Sequence, residues 1–292
     1  SVRPCINCYV CVEQNFFDAS AICAVNPALG NESAATEATA ITAKPRHLVV
    51  VGAGPAGLET ARVADGRGHR VTLLERAGTI GGETWFASLS GSANEMLLDW
   101  LAHEVEAAGR AIDLRLGCDA TPAEVTALEP DVVVVATGAS GLGAVRALIT
   151  GGAVGARVAI IGGDLIGLSL ATFLAKSGHT VTVLEPSANI GIAMAMPRRW
   201  TAVAEAMSLG VTLVRNAEVV EVATGGLTYR VAGVETTIEA DEVLTTNDRQ
   251  PDTALADQLR AAGLDVHIVG DAADLGYLAG AIHGAHRVAA KL

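Results

Sequence analysis

The sequence predicts an α/β protein with two parallel-sheet units, one of them inserted into the other. A strand, a glycine turn, a helix and a second strand begin at His47 and recur in the same order at Arg157, and both units end in a glutamate. Half of the 292 residues are hydrophobic, but only 3% are aromatic. A core of small aliphatic side chains is therefore expected, which suits closely packed helices and strands.

In the first unit we expect a strand at His47–Val51, a turn at 52–57, a helix at Leu58–Arg67 and a second strand at Val71–Leu74. Gly68 is suited to end the helix, and Glu75 closes the second strand. This order is a βαβ unit. A further buried strand is expected over Asp131–Ala136, where the apolar run is nearly continuous.

The inserted unit repeats the pattern at Arg157–Ile161, 162–167, Leu168–Ser177 and Val181–Leu184. After it we expect a helix at Thr201–Leu209 and a strand at Val211–Val214. Two strands of an antiparallel meander are expected at Glu218–Ala223 and Leu227–Val231, and a further strand at Asp241–Thr245. A short strand at His267–Val269 and a helix at Ala279–Lys291 end the chain.

This order of elements predicts a nested organisation. The outer domain is expected over 45–150 and 246–292, and the inserted domain over 151–245. Residues 1–44 are expected to be the cluster segment, with an irregular part over 1–30 that holds four cysteines and a linker over Asn31–Lys44 that has room for a short helix.

Composition argues against two classes of partner. The net charge is −12, from 32 acidic and 20 basic residues, so we expect no nucleic-acid-binding surface. No apolar run reaches the roughly 18–20 residues that a membrane helix needs. The first residues also lack the apolar stretch of a signal peptide. We therefore expect a cytoplasmic protein.

Four cysteines are clustered with the spacing C-x2-C-x2-C-x11-C, at Cys5, Cys8, Cys11 and Cys23. Four thiolates are the usual ligands of a [4Fe–4S] cluster. Structural zinc sites more often use two separated C-x2-C pairs, so a third cysteine at the same spacing favours the cluster. A zinc site or a chance group of buried thiols is the alternative. Cys118 stands alone and is expected to be a small buried residue.

The turn of the first unit has the full context of a Rossmann-like dinucleotide site, because it follows a strand, opens a helix and precedes an acid. Gly52 permits the turn, Gly54 lets a pyrophosphate approach the backbone, and Gly57 lets helix and strand pack closely. The acid is expected to accept bonds from the ribose hydroxyls. The candidate cofactor contacts here are Gly52, Gly54, Pro55, Ala56, Gly57, Glu75 and Arg76.

Two further segments bear on the choice between FAD and NAD in the first fold. Ala136-Thr137-Gly138 follows a very apolar strand, and Gly270-Asp271 precedes the last helix. Both resemble segments that recur in two-domain flavoprotein reductases, and this resemblance favours FAD. It implies that the aspartate lies near the ribitol or pyrophosphate and that the N-terminus of the last helix lies near the flavin. Gly82, just past the second strand, resembles part of the loop that passes under the cofactor in these proteins.

The second turn keeps Gly162, Gly163 and Gly167, but Asp164 stands where the pyrophosphate comes closest. A carboxylate there repels phosphate charges. Either this fold binds NAD(P)H poorly, or the turn has shifted to use Gly163. We prefer a retained fold with a vestigial site. Glu185, at the ribose position, would favour NAD over NADP.

Four other polar residues are weaker candidates. His283 and His286, on the terminal helix, are expected to be surface or capping groups, with cofactor contact or proton transfer as the alternative. Arg198 and Arg199 would either meet a cofactor phosphate or be solvated. No Ser-His-Asp or Cys-His arrangement stands out, so no catalytic residue is assigned.

Taken together, these motifs resemble the C-terminal half of the trimethylamine dehydrogenase and 2,4-dienoyl-CoA reductase family, which is old yellow enzyme-like. The resemblance covers essentially the whole chain. It runs through Arg3-Pro4-Cys5-Ile6, the other clustered cysteines, Val25-Asn26-Pro27, Gly54-Pro55-Ala56-Gly57-Leu58-Glu59, the inserted unit and Gly270-Asp271. Family members carry an FMN-binding (β/α)8 barrel before this half, so the resemblance implies a barrel on a separate subunit or on a longer chain.

The resemblance implies an electron-transfer module. In the reductases, NAD(P)H reduces FAD, and electrons pass through a [4Fe–4S] cluster to FMN, which reduces an enoyl substrate. In the amine dehydrogenases and demethylases, FMN oxidises the amine, and the cluster passes electrons to an electron-transferring flavoprotein or ferredoxin. There the first fold holds ADP and the second is idle. A stand-alone NAD(P)H-dependent FAD reductase and an ADP-binding structural subunit are the alternatives.

Overall fold

The structure, a computed structural model, describes residues 2–33, 40–88, 91–107, 112–143 and 154–292. Contacts divide the chain into two compact units. The first comprises Ser1–Asn7, Gln14–Ser140 and Gln250–Leu292, and the second comprises Cys8–Glu13 and Gly141–Arg249. The middle of the expected linker, residues 34–39, lies outside the described residues.

The described strands are β1 (His47–Val51), β2 (Arg70–Glu75), β3 (Ile112–Leu116), β4 (Val132–Val135), β5 (Ala139–Ser140), β6 (Arg157–Ile161), β7 (Thr180–Glu185), β8 (Thr212–Arg215), β9 (Glu218–Ala223), β10 (Gly226–Val231), β11 (Val234–Glu239), β12 (Glu242–Thr245), β13 (Gln250–Pro251) and β14 (Val266–Ile268). The helices are α1 (Val10–Glu13), α2 (Pro55–Gly66), α3 (Glu83–Ser88), α4 (Ser92–Ala107), α5 (Pro122–Ala127), α6 (Leu165–Lys176), α7 (Met196–Ser208), α8 (Ala254–Ala261) and α9 (Tyr277–Ala289). None of these described helices combines the length and the apolar character that a bilayer span requires.

The first unit is built on a five-stranded parallel sheet in the order β14-β4-β1-β2-β3. All residues of β1 and β4 are buried, as expected for central strands that are covered on both faces. The chain runs from β1 to β2 and β3 on one side, then continues with β4 and β14 on the other. The carboxyl ends of β1 and β4 therefore flank the switch point, where open α/β sheets bind ligands.

The predicted elements of this unit are present, β1 with the predicted bounds and the others with shifted bounds. The first helix begins at Pro55 instead of Leu58, because proline at the first helical position has its φ preset. Helices α3, α4, α5 and α8 and strands β3, β5 and β13 were not predicted. Helix α4 buries Leu97, Leu101 and Val105 on one stripe, a spacing typical of an amphipathic helix.

The second unit contains a four-stranded parallel sheet in the order β12-β6-β7-β8 and an antiparallel sheet in the order β11-β10-β9. Strands β6 and β9 have the predicted bounds. The expected two-stranded meander is incomplete, since β11 pairs with β10 as a third strand. Most of β11 is exposed, so it lacks the apolar alternation from which a strand is predicted.

In the first unit, α2 carries a fully buried carboxylate, Glu59. Its oxygens lie 2.9 Å from Arg3 Nη2 and 2.9 Å from Arg62 Nη2, and one lies 3.5 Å from His286 Nδ1. Burial alone would raise the pKa of Glu59, but the hydrogen bonds and charges of His286, Arg62 and Arg3 outweigh it and lower the pKa to about 2. The carboxylate therefore stays ionised and stabilises the packing of α2 against α9.

Replacing Glu59 by Gln is expected to reduce stability most at neutral pH. The folded-state pKa of about 2 lies below the ordinary value of 4.5, so this carboxylate contributes stability above the ordinary value that is lost as pH falls toward the folded value. Urea unfolding should show a difference on the order of 3 kcal/mol at neutral pH, and the difference should shrink in acid.

The control for this experiment is Glu95→Gln, on the exposed face of α4 in the same unit. This variant should unfold like the unmodified protein at every pH, because surface substitutions change stability by about 0.5 kcal/mol or less. A Glu59→Gln difference that does not vary with pH would show that the ion pairs do not supply the stability.

Candidate functional site

Two glycines of the first turn are required by the fold itself. Gly52 has a φ of +103°, and a Cβ there would lie 2.4 Å from the carbonyl oxygen of Ala136. A Cβ on Gly57 would lie 1.7 Å from the carbonyl oxygen of Gly52. Both positions therefore need glycine for the close contact between β1, β4 and α2.

The middle glycine, Gly54, is different. It is the N-cap of α2, with φ −75° and ψ −179°, and no side chain caps the helix. A Cβ there would have no neighbour nearer than Gly82 Cα at 4.0 Å. Neither backbone strain nor packing requires a glycine at this position. The space in front of the uncapped helix N-terminus is open, and such a terminus favours anions.

Three flanking segments predicted as cofactor contacts lie beside this turn. The loop with Gly82 approaches Gly54, and Gly81 N–H donates to the Ala53 carbonyl over 2.8 Å. The carbonyl oxygen of Ala136 packs closely against Gly52. Gly270 packs on Ala56, because a Cβ on Gly270 would lie 2.8 Å from the Ala56 Cβ. The fold therefore gathers residues from 52, 82, 136 and 270 at one edge of the sheet.

The remaining predicted contacts of the first site have defined backbone partners. Glu75 accepts the Ala53 N–H at 2.7 Å and the Ala77 N–H at 2.8 Å, so it fixes the turn. Thr137 Oγ1 donates to the carbonyl of Asp252, beside the half-buried Gly138. Asp271 Oδ1 accepts the N–H of Gly276, the N-cap of α9, at 2.9 Å. Pro55 is buried at the start of α2, and Arg76 is exposed.

The second turn has the same backbone architecture. Glu185 accepts the Gly163 N–H at 2.8 Å and the Ser187 N–H at 2.9 Å, which matches the two bonds of Glu75. Gly191 N–H donates to the Gly163 carbonyl over 2.6 Å, as Gly81 does to Ala53. Gly163 therefore corresponds to Ala53 of the first turn. The second turn has not shifted to put Gly163 at the position that corresponds to Gly54.

Asp164 takes the place of Gly54 in this second turn. It is the N-cap of α6 with φ −73° and ψ −164°, close to the conformation of Gly54. Its Oδ1 accepts the Gly167 N–H at 2.9 Å and lies 3.3 Å from Thr246 Oγ1. Thr246 also lies 2.5 Å from where a Cβ on Gly162 would stand. A carboxylate and a buried hydroxyl therefore occupy the position that is open in the first unit.

Thr246 was missed by the sequence analysis, although a signal existed. It follows β12 directly, as Ala136 follows β4, so it is the residue that faces the turn glycine at the switch point of its own sheet. Its burial is nearly complete, at 1% exposed.

Of the two candidate arginines, Arg199 lines a surface groove of about 340 Å³ on the second unit, together with Trp200, Met207 and Arg215. The loop after β7 forms another wall through Asn189. Arg199 thus lies beside the loop that follows Glu185, while Arg198 is half-buried.

The expectation that both histidines are surface or capping groups is wrong. His283 Nε2 lies 2.7 Å from the carbonyl oxygen of Cys23, and His286 Nδ1 lies 3.5 Å from Glu59. They are three residues apart on α9, so they face the same side of the helix. Both side chains are half-buried. Cys118, which was expected to be buried, is partly buried against the core of the first unit.

None of the four clustered cysteines forms a disulfide within the described residues. Asn7 and Tyr9, one in each C-x2-C interval, have positive φ values of 53° and 63°, which curve this segment. Asn7 N–H donates to Cys5 Sγ over 3.4 Å, and such bonds tune thiolate ligands of iron–sulfur clusters. Within the described residues, no three His, Cys, Asp or Glu side chains converge as metal ligands. The donors fit a cluster by number and type, and their convergence on one is a proposal.

Comparison with known proteins agrees with the nucleotide folds. A family model described as pyridine nucleotide-disulphide oxidoreductase matches residues 25–141 and 118–272. An NADH oxidase of Thermoanaerobacter brockii is 31% identical over 99% of this chain, which covers 47% of that protein. A solved 2-naphthoyl-CoA reductase, in complex with 2-naphthoyl-CoA, has a TM-score of 0.93 at 31% identity, over 99% of this chain and 46% of that chain.

A solved histamine dehydrogenase from Rhizobium sp. 4-9 shares the fold, with a TM-score of 0.90 at 24% identity over 100% of this chain and 48% of that chain. The chain thus spans about half the length of these relatives. The family match supports FAD and a pyridine nucleotide as ligands of the nucleotide folds. The chain belongs to the pyridine nucleotide-disulphide oxidoreductase family and is an oxidoreductase.

Proposed function

We propose that this chain is the electron-transfer flavoprotein module of a larger oxidoreductase. FAD, or its ADP part, binds at the first turn, and a [4Fe–4S] cluster binds at Cys5, Cys8, Cys11 and Cys23. When bound, these groups supply hydride and single-electron transfer. The chain's own part is to bind both groups and to tune their potentials by burial and hydrogen bonding.

The observation that carries the nucleotide proposal is the open N-terminus of α2. Gly52 and Gly57 are required by contacts within the protein, but Gly54 is required by neither its φ nor a neighbour. A glycine that the protein does not need for itself is explained by a ligand that approaches the backbone closely. The uncapped N–H groups of α2 then receive the pyrophosphate oxygens.

The cluster proposal rests on the donors. Four cysteines with the spacing C-x2-C-x2-C-x11-C, none of them in a disulfide within the described residues, match the number of ligands of a [4Fe–4S] cluster. The Asn7 N–H bond to Cys5 Sγ supplies a donor to one of these sulfurs. Hydrogen bonds of this kind raise the reduction potential of a cluster, because they stabilise negative charge on sulfur.

We propose that the second turn binds a pyridine nucleotide only weakly. The Asp164 carboxylate already accepts the Gly167 N–H that a phosphate would use. A phosphate placed beside it would meet a like charge at short range. Glu185 at the ribose position would favour NAD over NADP among weak ligands.

The partner in this proposal is an FMN-binding (β/α)8 barrel, on the same or a separate chain, of the amine dehydrogenase or demethylase type or of the enoyl reductase type. The names of the similar proteins include a dehydrogenase and a reductase. An electron-transferring flavoprotein or a ferredoxin is the further partner in the amine-oxidising case.

The second candidate is a stand-alone NAD(P)H-dependent FAD reductase, which the name NADH oxidase of one relative favours. It requires a second turn that binds the nucleotide tightly, and Asp164 argues against that. Rapid bleaching of a bound flavin by NADH or NADPH in the isolated chain would favour this candidate over the module.

The proposed function is tested on anaerobically purified protein by its absorbance spectrum, its iron and sulfide content and the nucleotide released on denaturation. Four iron atoms per chain, expected for one [4Fe–4S] cluster in roughly stoichiometric amount, together with FAD or ADP, would support it. ADP without flavin would identify the amine-dehydrogenase type or a structural subunit. Protein without iron and sulfide, or without adenine nucleotide, would contradict it.

Replacing Gly54 by Asp is expected to abolish nucleotide binding while the nucleotide-free protein keeps its fold. The new side chain has room and can cap α2, as Asp164 caps α6, but its carboxylate takes the place of the phosphate. The amount of released nucleotide should fall at least about tenfold, the effect of roughly 1.4 kcal/mol. Gly54→Ala, which adds no charge, separates repulsion from loss of space.

The reciprocal change, Asp164→Gly, is expected to tighten binding of NADH at the second turn by at least about tenfold. It removes the carboxylate from the N-terminus of α6, and glycine at an N-cap costs only a few tenths of a kcal/mol. Calorimetric titration of nucleotide into the protein measures the change.

Asp164→Asn is the matched control for this pair. Its side-chain oxygen can still accept the Gly167 N–H, so only the charge is removed. Its affinity for NADH should therefore lie between those of the unmodified protein and Asp164→Gly. Unchanged NADH affinity in both Asp164 variants would show that Asp164 is not what weakens the second site.

A further inference from the structure

Two arginines share the buried Glu59 carboxylate. Arg62, one turn later on α2, donates Nε and Nη2 to its two oxygens at 3.0 and 2.9 Å. Arg3 donates Nη2 to both oxygens at 3.1 and 2.9 Å. One cation is enough to neutralise one carboxylate, and Arg62 already binds it with two hydrogen bonds. Charge neutralisation alone therefore does not explain Arg3.

Arg3 has a second partner that Arg62 lacks. Its Nη1 donates to the carbonyl oxygen of Val25. Arg3 lies two residues before Cys5, and Val25 lies two residues after Cys23. The Arg3 guanidinium also lies 4.4 Å from the ring centre of Trp100 on α4, and its side chain is only 11% exposed. One planar group thus holds the flanks of two cysteines that are distant in sequence.

A second contact holds the same segment. His283 Nε2 lies 2.7 Å from the carbonyl oxygen of Cys23. His283 is on α9, which follows Gly270 and Asp271, while Glu59 is on α2, which follows Gly54. Helix α2 therefore begins directly after Gly54, and the N-cap of α9, Gly276, is bound to Asp271 by a hydrogen bond. Both helices that bind the cysteine flanks are thus attached at their N-termini to residues of the candidate nucleotide site, and a helix is a rigid element.

We propose that Arg3, held by Glu59, is a positioning residue that fixes Cys5 and Cys23 on the nucleotide fold, with His283 as a second support. The assignment of these cysteines as cluster ligands rests on the proposed function. Arg3 acts through the Val25 carbonyl and its own main chain. Its positive charge also favours the more negative, reduced state of a cluster held nearby, so it raises the reduction potential.

The experiment compares Arg3→Met with Arg62→Met in the full chain. Both variants remove one cation from Glu59, but only Arg3→Met releases Val25. Hydrogen exchange is measured over residues 2–7 and 20–27, and the midpoint potential of the cluster is measured by a redox titration. Arg3→Met should exchange at least about tenfold faster in these two segments and should lower the potential. Arg62→Met should do neither.

Equal exchange in the two variants, or an unchanged potential in Arg3→Met, would overturn the proposal. If Arg3→Met does not fold, Arg3→Lys replaces it, because lysine keeps a charge near Glu59 but lacks the planar group that reaches two partners. Faster exchange without loss of folding is the expected result. If the unmodified protein holds no iron or sulfide, the proposed function fails, while the exchange comparison still decides the positioning role.

Discussion

The carboxylate of Glu59 is fully buried, and a buried charge is stable only while its partners stay in place. Those partners are Arg3 near one end of the chain, Arg62 on the same helix, and His286 near the other end. One side chain therefore makes the stability of the first unit depend on three distant parts of the sequence. The helix that carries it also begins at Gly54, so the candidate nucleotide site depends on the same interaction.

The two turns show how one residue changes the chemistry of a shared backbone. Glu75 and Glu185 bind their turns with equivalent hydrogen bonds, and the N-cap residues have nearly equal φ. What differs is the occupant of the helix N-terminus, which is open space at Gly54 and a carboxylate at Asp164. A fold can thus be kept, since its own glycines remain, while its affinity for phosphate is proposed to change. In this proposal, different positions of the same turn set the fold and the binding function.

Local patterns predicted the central strands and both turns, because continuous apolar runs and glycine spacing are short-range signals. The strand at Arg157–Ile161 was predicted residue for residue. The exposed strand β11 and the inward-facing His283 were not predicted. Neither has a clear local signal. Strand β11 is exposed except at the partly buried Ile238, and the hydrogen-bond partner of His283 is 260 residues away in sequence. The ion pair between Glu59 and Arg3 was missed for the same reason, since Arg3 is 56 residues away.

The cysteine spacing identifies donors, but contacts with the nucleotide fold hold their flanks. Phe16 and Phe17, within this segment, are exposed, while Ala24 and Val25 are buried. The segment therefore gains its order from Val25 and its hydrogen bond to Arg3 more than from a core of its own. A nucleotide that binds only the folded first unit would stabilise that unit, including the contacts of Arg3 with Glu59 and Val25. Because such linkage is reciprocal, a group at the cysteines that also requires the folded unit would in turn favour nucleotide binding.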